Sequence, residues 1–137
     1  MVSDTDASLK FYCDALGLKI AGGSLNFGTE QEHLHNVFGA RLRITAVRAA
    51  NCPGVEFLEY LVPRDGRPAP SDERANDLIH WQTRFSTTDT SSLARSLAEK
   101  QYKSVSYGVS VLTGKERGFA QALSRDPDGR VMQLIEK

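Results

Sequence analysis

The sequence predicts an α+β fold built from two β-α-β-β-β modules, and three observations carry that prediction. Both halves of the chain read as a helix followed by about three strands, and the second half adds a strand before its helix. A short near-repeat links them: Thr5-Asp-Ala-Ser-Leu9 resembles Asp89-Thr-Ser-Ser-Leu93, displaced by 84 positions. Between the halves, residues 63–76 hold three prolines, a glycine and several charges with little that could pack, which is linker composition. The expected organisation is a single domain, with residues 1–62 as the first module, 63–76 as the linker and 77–137 as the second module.

Each element has its own warrant. Leu9, Tyr12, Cys13 and Leu16 recur at helical spacing from Thr5 to Leu16, and Gly17 suits the residue just past a helix end. Leu18 to Ala21 reads as a strand that Gly22-Gly23 loosens or bulges. Thr29-Glu-Gln-Glu32 has the form of a capping box before a short amphipathic helix carrying Leu34, Val37 and Phe38 and ended by Gly39. Arg41 to Ala49 alternates, with Leu42, Ile44 and Ala46 opposite Arg43, Thr45 and Val47, and a turn at Asn51-Cys-Pro-Gly54 joins it to the strand Val55–Val62 as a hairpin.

The second half opens with a strand over Leu78–Ser86, followed by a helix from about Asp89 to Gln101 with Leu93, Ala94, Leu97 and Ala98 on one face. Strands follow near Ser104–Val111 and Gly118–Arg125, joined by a Thr113-Gly-Lys-Glu loop. The turn Asp126-Pro-Asp-Gly129 then feeds a last strand: Pro127 presets φ, and Asp128-Gly129 tolerates the positive φ of a tight corner.

Composition excludes several functions. Seventeen basic residues balance 17 acidic ones with no basic stripe, which disfavours nucleic-acid and anionic-membrane binding. No apolar run approaches the ~20 residues of a membrane helix and no signal-peptide core is visible, so a soluble cytoplasmic protein is expected. Cys13 and Cys52 lack CxxC spacing, and Cys13 lies on an apolar helix stripe, where a buried, reduced thiol is the plain reading. No phosphate loop, nucleophile elbow or zinc-finger spacing occurs. His33 and His35, two residues apart on a helix, do not share a face and so do not form a metal pair.

Three strands place polar residues among apolar ones. Glu56 shares a face with Leu58 and Tyr60, opposite Val55, Phe57 and Glu59. His80 falls with Gln82 and Arg84, opposite Ile79, Trp81, Thr83 and Phe85, an apolar set suited to packing beneath the following helix. Gln133 sits mid-strand between Met132 and Leu134. Each has a structural reading: a strand histidine is commonly a hydrogen-bonded structural group, and Glu56, Glu59 and Gln133 are commonly solvated. Arg84 and Gln82 suit the orientation of an anionic substrate, with a salt-bridged structural arginine as the alternative.

Taken together, Ser8-Leu-Lys-Phe-Tyr12 with Leu16-Gly17, the Val55-Glu56-Phe57 strand, His80 after the linker and the Asp126-Pro-Asp-Gly129 turn resemble the vicinal oxygen chelate superfamily. This group contains glyoxalase I, methylmalonyl-CoA epimerase, extradiol dioxygenases and bleomycin-resistance proteins. The resemblance spans essentially the whole chain. It implies a glyoxalase-like fold in which the strands curl into an open, cup-like mixed sheet with helices outside. By the 84-residue repeat offset, the first module is expected to lack most of its opening strand.

Glyoxalase-like members bind a divalent metal through four side chains, two from each half. Carried over by position, the resemblance implies Glu56, His80 and Gln133 as metal ligands. As a carboxylate, Glu56 can double as the catalytic proton shuttle, and Tyr60, Gln82 and Arg84, which share the faces of Glu56 and His80, are the candidate substrate-binding residues. A carboxylate, an imidazole and an amide oxygen form a mixed set suited to Zn, Mn, Co, Ni or Fe(II). Such an ion polarises a substrate carbonyl or diolate. The first-strand ligand, commonly His, would fall about four residues before Met1 by the repeat offset. Gln133 stands where Glu is commoner, so weak metal binding or none is expected of the chain. Two functions follow: a metal-dependent lyase, isomerase or dioxygenase acting on a small oxygenated substrate, or a non-catalytic small-molecule binding protein of the bleomycin-resistance kind. Exposed sheet edges suggest a homodimer in either case.

Overall fold

The computed structural model describes residues 1–50, 53–113 and 119–136. The predicted turn at Asn51-Cys52 and most of the Thr113–Glu116 loop lie outside the described residues. The chain divides into two compact units, Met1–Pro68 and Ala69–Lys137.

Unit 1 begins with helix α1 (Thr5–Leu9), which continues as a π-helical segment, Lys10–Ala15. Asp4 caps its start, its Oδ1 accepting the backbone N–H of Asp6 at 2.8 Å and of Ala7 at 3.1 Å. Gly17 ends it at φ +80°, as the sequence suggests. Strands β1 (Lys19–Phe27), β2 (Arg41–Arg48) and β3 (Val55–Val62) form an antiparallel sheet in the order β1-β2-β3. The glycine pair bulges β1, shifting its register between Ile20 and Gly22. A Cβ on Gly23 would stand 3.0 Å from the Ile44 carbonyl oxygen, so the bare backbone permits that approach. Phe57 and Glu59 are buried on the face of β3 that meets the first helix, where the Tyr12 and Phe57 rings lie 4.8 Å apart.

Helix α2 (Thr29–His35) differs from expectation at both ends. Gly28 occupies the N-cap, so Thr29 is already helical and makes no capping bond. The helix stops at Asn36 in the left-handed region, before Val37 and Phe38 can join it. Leu34 and Phe38 are 76% and 94% exposed, so the buried face is not the apolar one; Gln31 faces inward instead.

Unit 2 contains β4 (Gln82–Thr87), α3 (Thr90–Glu99), β5 (Ser110–Val111), β6 (Ala120–Arg125) and β7 (Val131–Glu136). Its sheet runs β4-β7-β6-β5, with β4 parallel to β7 and the remaining pairs antiparallel. The expected strand over Leu78–Ser86 starts four residues late, since 78–80 form turns closed by His80 N–H donating to the Asp77 carbonyl at 3.0 Å. Ile79 and Trp81 are therefore exposed rather than beneath the helix; the Arg130 guanidinium lies 5.3 Å from the Trp81 ring centre. The strand expected near Ser104–Val111 is reduced to a Ser104–Ser124 bridge and the two-residue β5. The Asp126–Gly129 turn forms as read: Asp126 Oδ1 accepts the N–H of Asp128 at 3.0 Å and of Arg130 at 2.8 Å, and Gly129 adopts φ +85°.

The near-repeat has a structural basis, shifted by one residue from the sequence alignment. Asp4 and Asp89 are the two N-caps, and Thr5 and Thr90 follow as fully buried first residues. Each threonine N–H donates to a glutamate near the end of its own unit's third or last strand: Thr5 to Glu59 Oε2 at 3.2 Å, Thr90 to Glu136 Oε2 at 3.3 Å. Glu56 and Gln133 each stand three residues before that glutamate, which makes them equivalent positions. No helix among the described residues is long and apolar enough to cross a membrane.

Candidate functional site

In unit 1, strand alternation and the antiparallel register place Glu56, Leu58 and Tyr60 on one face, paired with Ala46, Ile44 and Leu42. Glu56 is exposed. Tyr60 is half-buried, and its hydroxyl and His35 Nδ1 are 2.8 Å apart with the rings nearly perpendicular. Glu59, on the opposite face, is only 6% exposed; it accepts the Thr5 N–H and pairs with Arg64 Nη2 at 3.2 Å. Its role is to anchor the first helix, where the sequence suggested a solvated side chain.

In unit 2, Gln82 and Arg84 point to the exposed face of β4, and the parallel register sets Arg84 directly beside Gln133. Arg84 Nε donates to Gln133 Oε1 at 2.9 Å, and Gln133 Nε2 donates to Gln121 Oε1 at 2.7 Å. Gln133 is 6% exposed, so both ends of a buried amide are satisfied by side chains. His80 lies ahead of the strand, not on it. Its Nδ1 is 2.8 Å from Glu73 Oε1, and Glu73 Oε2 is 3.7 Å from Arg125 Nη1. The structure thus joins Arg84 to Gln133 and joins His80 to a carboxylate that the sequence did not single out. Glu73 sits in a polar loop, where nothing in the pattern marks one acidic residue as the partner of a histidine.

Cys13 is half-buried, and burial first, then the Asp14 carboxylate, push its thiol above the ordinary range. In unit 1 the Arg43 guanidinium, 2.8 Å from Asp6, holds that carboxyl below its usual range. In unit 2 the Ser92 hydroxyl and backbone N–H do the same for Asp89.

Comparison with known families decides the larger question. A sequence model described as the glyoxalase/bleomycin resistance protein/dioxygenase superfamily matches residues 1–134. The chain belongs to this superfamily. A glyoxalase family protein from Bacillus cereus is similar in structure, with a TM-score of 0.80 at 17% identity over 98% of this chain and 87% of that one. A glyoxalase I variant from Zea mays gives 0.63 at 18% identity, over 99% of this chain and 42% of that one. The trypanothione-dependent glyoxalase I of Leishmania major gives 0.60 at 15% identity, over 98% and 80%. At these identities the likeness establishes the glyoxalase fold. Comparison with curated proteins finds no match.

Superfamily members typically use a divalent metal, so the donors can be tested against one. Glu56 is an accessible carboxylate, and His80, engaged at Nδ1, keeps Nε2 on the ring's other side. Gln133 is the obstacle. Its amide oxygen already accepts from a guanidinium, and a divalent ion on that oxygen would lie within a few ångströms of a fixed positive charge. Among the described residues, no three His, Cys, Asp or Glu side chains gather as a metal-holding group. Within unit 2, the Gln133 oxygen as hydrogen-bonded is ill suited to a divalent ion.

Proposed function

We propose that this superfamily member binds a small oxygenated molecule through Gln82 and Arg84 of unit 2, with no divalent metal resident on Gln133. The observation that carries this reading is the Arg84–Gln133–Gln121 chain of hydrogen bonds. At the position where a glyoxalase-like protein places a last-strand ligand, this chain has an amide spent on orienting a guanidinium. A charge held by its neighbours needs little reordering to meet a ligand oxygen. The bleomycin-resistance branch offers the nearest functional parallel, in that its members sequester small molecules.

Calorimetric titration of the full chain with Zn²⁺, Mn²⁺, Co²⁺, Ni²⁺ and Fe²⁺ tests the reading. The expected result is no stoichiometric uptake of any ion. Tight uptake at one ion per chain, lost in His80→Ala, would overturn it and restore a metal-dependent lyase, isomerase or dioxygenase. A homodimer belongs to the same proposal. It is supported by the edge of β3 beyond Tyr60 and by exposed Ile20, Leu25 and Phe27 on β1. Light scattering that gives a clean single-chain mass would remove it.

A further inference from the structure

Pairing along β6 is interrupted in unit 2. Ser104 bridges Ser124 and Ser110 pairs with Gln121, so six positions on one side span three on the other, and the surplus residues loop away from the sheet. The loop is pinned by hydrogen bonds. The Leu123 carbonyl accepts the Val105 N–H at 2.8 Å and the Ser106 N–H at 3.3 Å, and the Leu123 N–H donates to Ser106 Oγ at 3.1 Å. Between this loop, α3 and the sheet face carrying Ala122, Ser124 and Leu134 lies a cavity of about 330 Å³. Strand alternation puts that face opposite Gln121 and Gln133, so the cavity is separate from the Arg84 relay. Ala94 and Ala98 of α3 and Ala122 of β6 line it, where larger side chains would fill it to ordinary packing density. Leu97, Ala122 and Leu134 are buried, which makes the floor apolar.

We infer that this cavity is a second small-molecule site, one that takes an apolar body about the size of a single ring carrying a carboxylate. Small-molecule sites are concave and mostly apolar, with a few polar groups that fix orientation, and this cavity has that make-up. The floor matches the ring, and Arg95, the charged member of the lining among the described residues, matches the carboxylate. Its electrostatic influence on Asp89 apart, that guanidinium has no hydrogen-bond or ion-pair partner among the described residues. Ser106 supplies a second donor: its oxygen accepts from Leu123, and its own proton has no acceptor among the described residues. Tyr107 and Val109, exposed on the loop, give the mouth an apolar lip. A cationic ligand would meet Arg95 as a like charge and find no carboxylate in the lining to offset it. The site shares no residue with Gln82 and Arg84 and stands independently of the function proposed for them.

The test is an NMR titration of the methyl-labelled full chain with benzoate, with benzylammonium, which has the same ring and the opposite charge, and with acetate, which has the carboxylate and no ring. Benzoate is expected to shift the Ala94 and Ala122 methyl resonances saturably, and the other two to leave them in place. Arg95→Ala removes an exposed side chain and should weaken benzoate binding about tenfold, the usual effect of one lost hydrogen bond to a charged group. Ala98→Phe, at an exposed helix position, fills the cavity and should abolish the shifts while the chain melts close to the native temperature. Arg84→Ala should leave the shifts intact. Methyl resonances unmoved by benzoate, or moved as much by benzylammonium or acetate, would overturn the inference. So would native-like benzoate binding in Arg95→Ala and Ala98→Phe, or loss of the shifts in Arg84→Ala. Stoichiometric metal uptake would overturn the proposed function and leave this titration unchanged.

Discussion

Glu56 and Gln133 occupy equivalent rungs of the two units, each three residues before a glutamate that receives the N–H of the first residue of its unit's α1 or α3. Their surroundings nevertheless differ. Gln133 lies on a strand flanked on both sides, by β4 and β6, so its amide meets Arg84 on one side and Gln121 on the other. Glu56 lies on β3, which pairs with β2 along one edge; beside the other, Val2 N–H donates to the Leu58 carbonyl at 3.0 Å. The carboxylate therefore stays exposed. A position inherited by repetition acquires its chemistry from the strands beside it, and a full set of neighbours converts a candidate ligand into a hydrogen-bonded relay.

The largest expected contrast comes from the helix anchors. Glu59→Ala strands the buried Thr5 N–H and should cost roughly 2–3 kcal/mol in chemical denaturation. Glu136→Ala should cost only about 1 kcal/mol, because that side chain is half-exposed and water can replace it. Equal losses would mean that the two anchors are not distinguished by burial. Next come the equivalent rungs. Gln133→Leu leaves Gln121 without its donor and removes the acceptor of Arg84 Nε, for roughly 1–2 kcal/mol, whereas Glu56→Gln should fall within about 0.5 kcal/mol of the native chain.

Much of this architecture was legible in the sequence, because it rests on short-range rules. Gly17 at a helix end, the Gly22-Gly23 bulge, the β2–β3 hairpin and the Asp126–Gly129 turn each follow from backbone preferences of one or two residues. The face shared by Glu56, Leu58 and Tyr60 follows from strand alternation. The misreadings share a different cause. Phe38, Ile79 and Trp81 have helix or strand spacing, but the Asn36 stop and the turns at 78–80 end the pattern before those residues reach a core, while Leu34, inside the helix, is exposed all the same. Glu73 and Gln121 have no local signal. Their importance comes from partners supplied by other segments of the chain.

The smallest contrast concerns acid. Asp6 in unit 1 and Asp89 in unit 2 both have folded-state pKa values below the ordinary carboxylate range, the first through Arg43 and the second through Ser92. A depressed carboxyl contributes stability that is present above its unfolded pKa and is lost as the pH falls through the lowered folded value. Melting temperature followed from neutral pH into acid should therefore decline less steeply for Asp89→Asn and for Asp6→Asn than for the native chain. The Asp6 effect alone should fade in high salt, since it rests on an exposed ion pair. Matching acid limbs in native and variant chains would remove both contributions.

The central claim is that Gln133 serves Arg84 and Gln121 rather than a metal. Its side-chain amide, followed by NMR during a titration with paramagnetic Mn²⁺, tests this most directly. The account predicts sharp Gln133 resonances at one equivalent of ion, perturbed instead by Arg84→Ala and by Gln121→Ala. Selective loss of the Gln133 signals at one equivalent, with Arg84→Ala leaving them unperturbed, would contradict it.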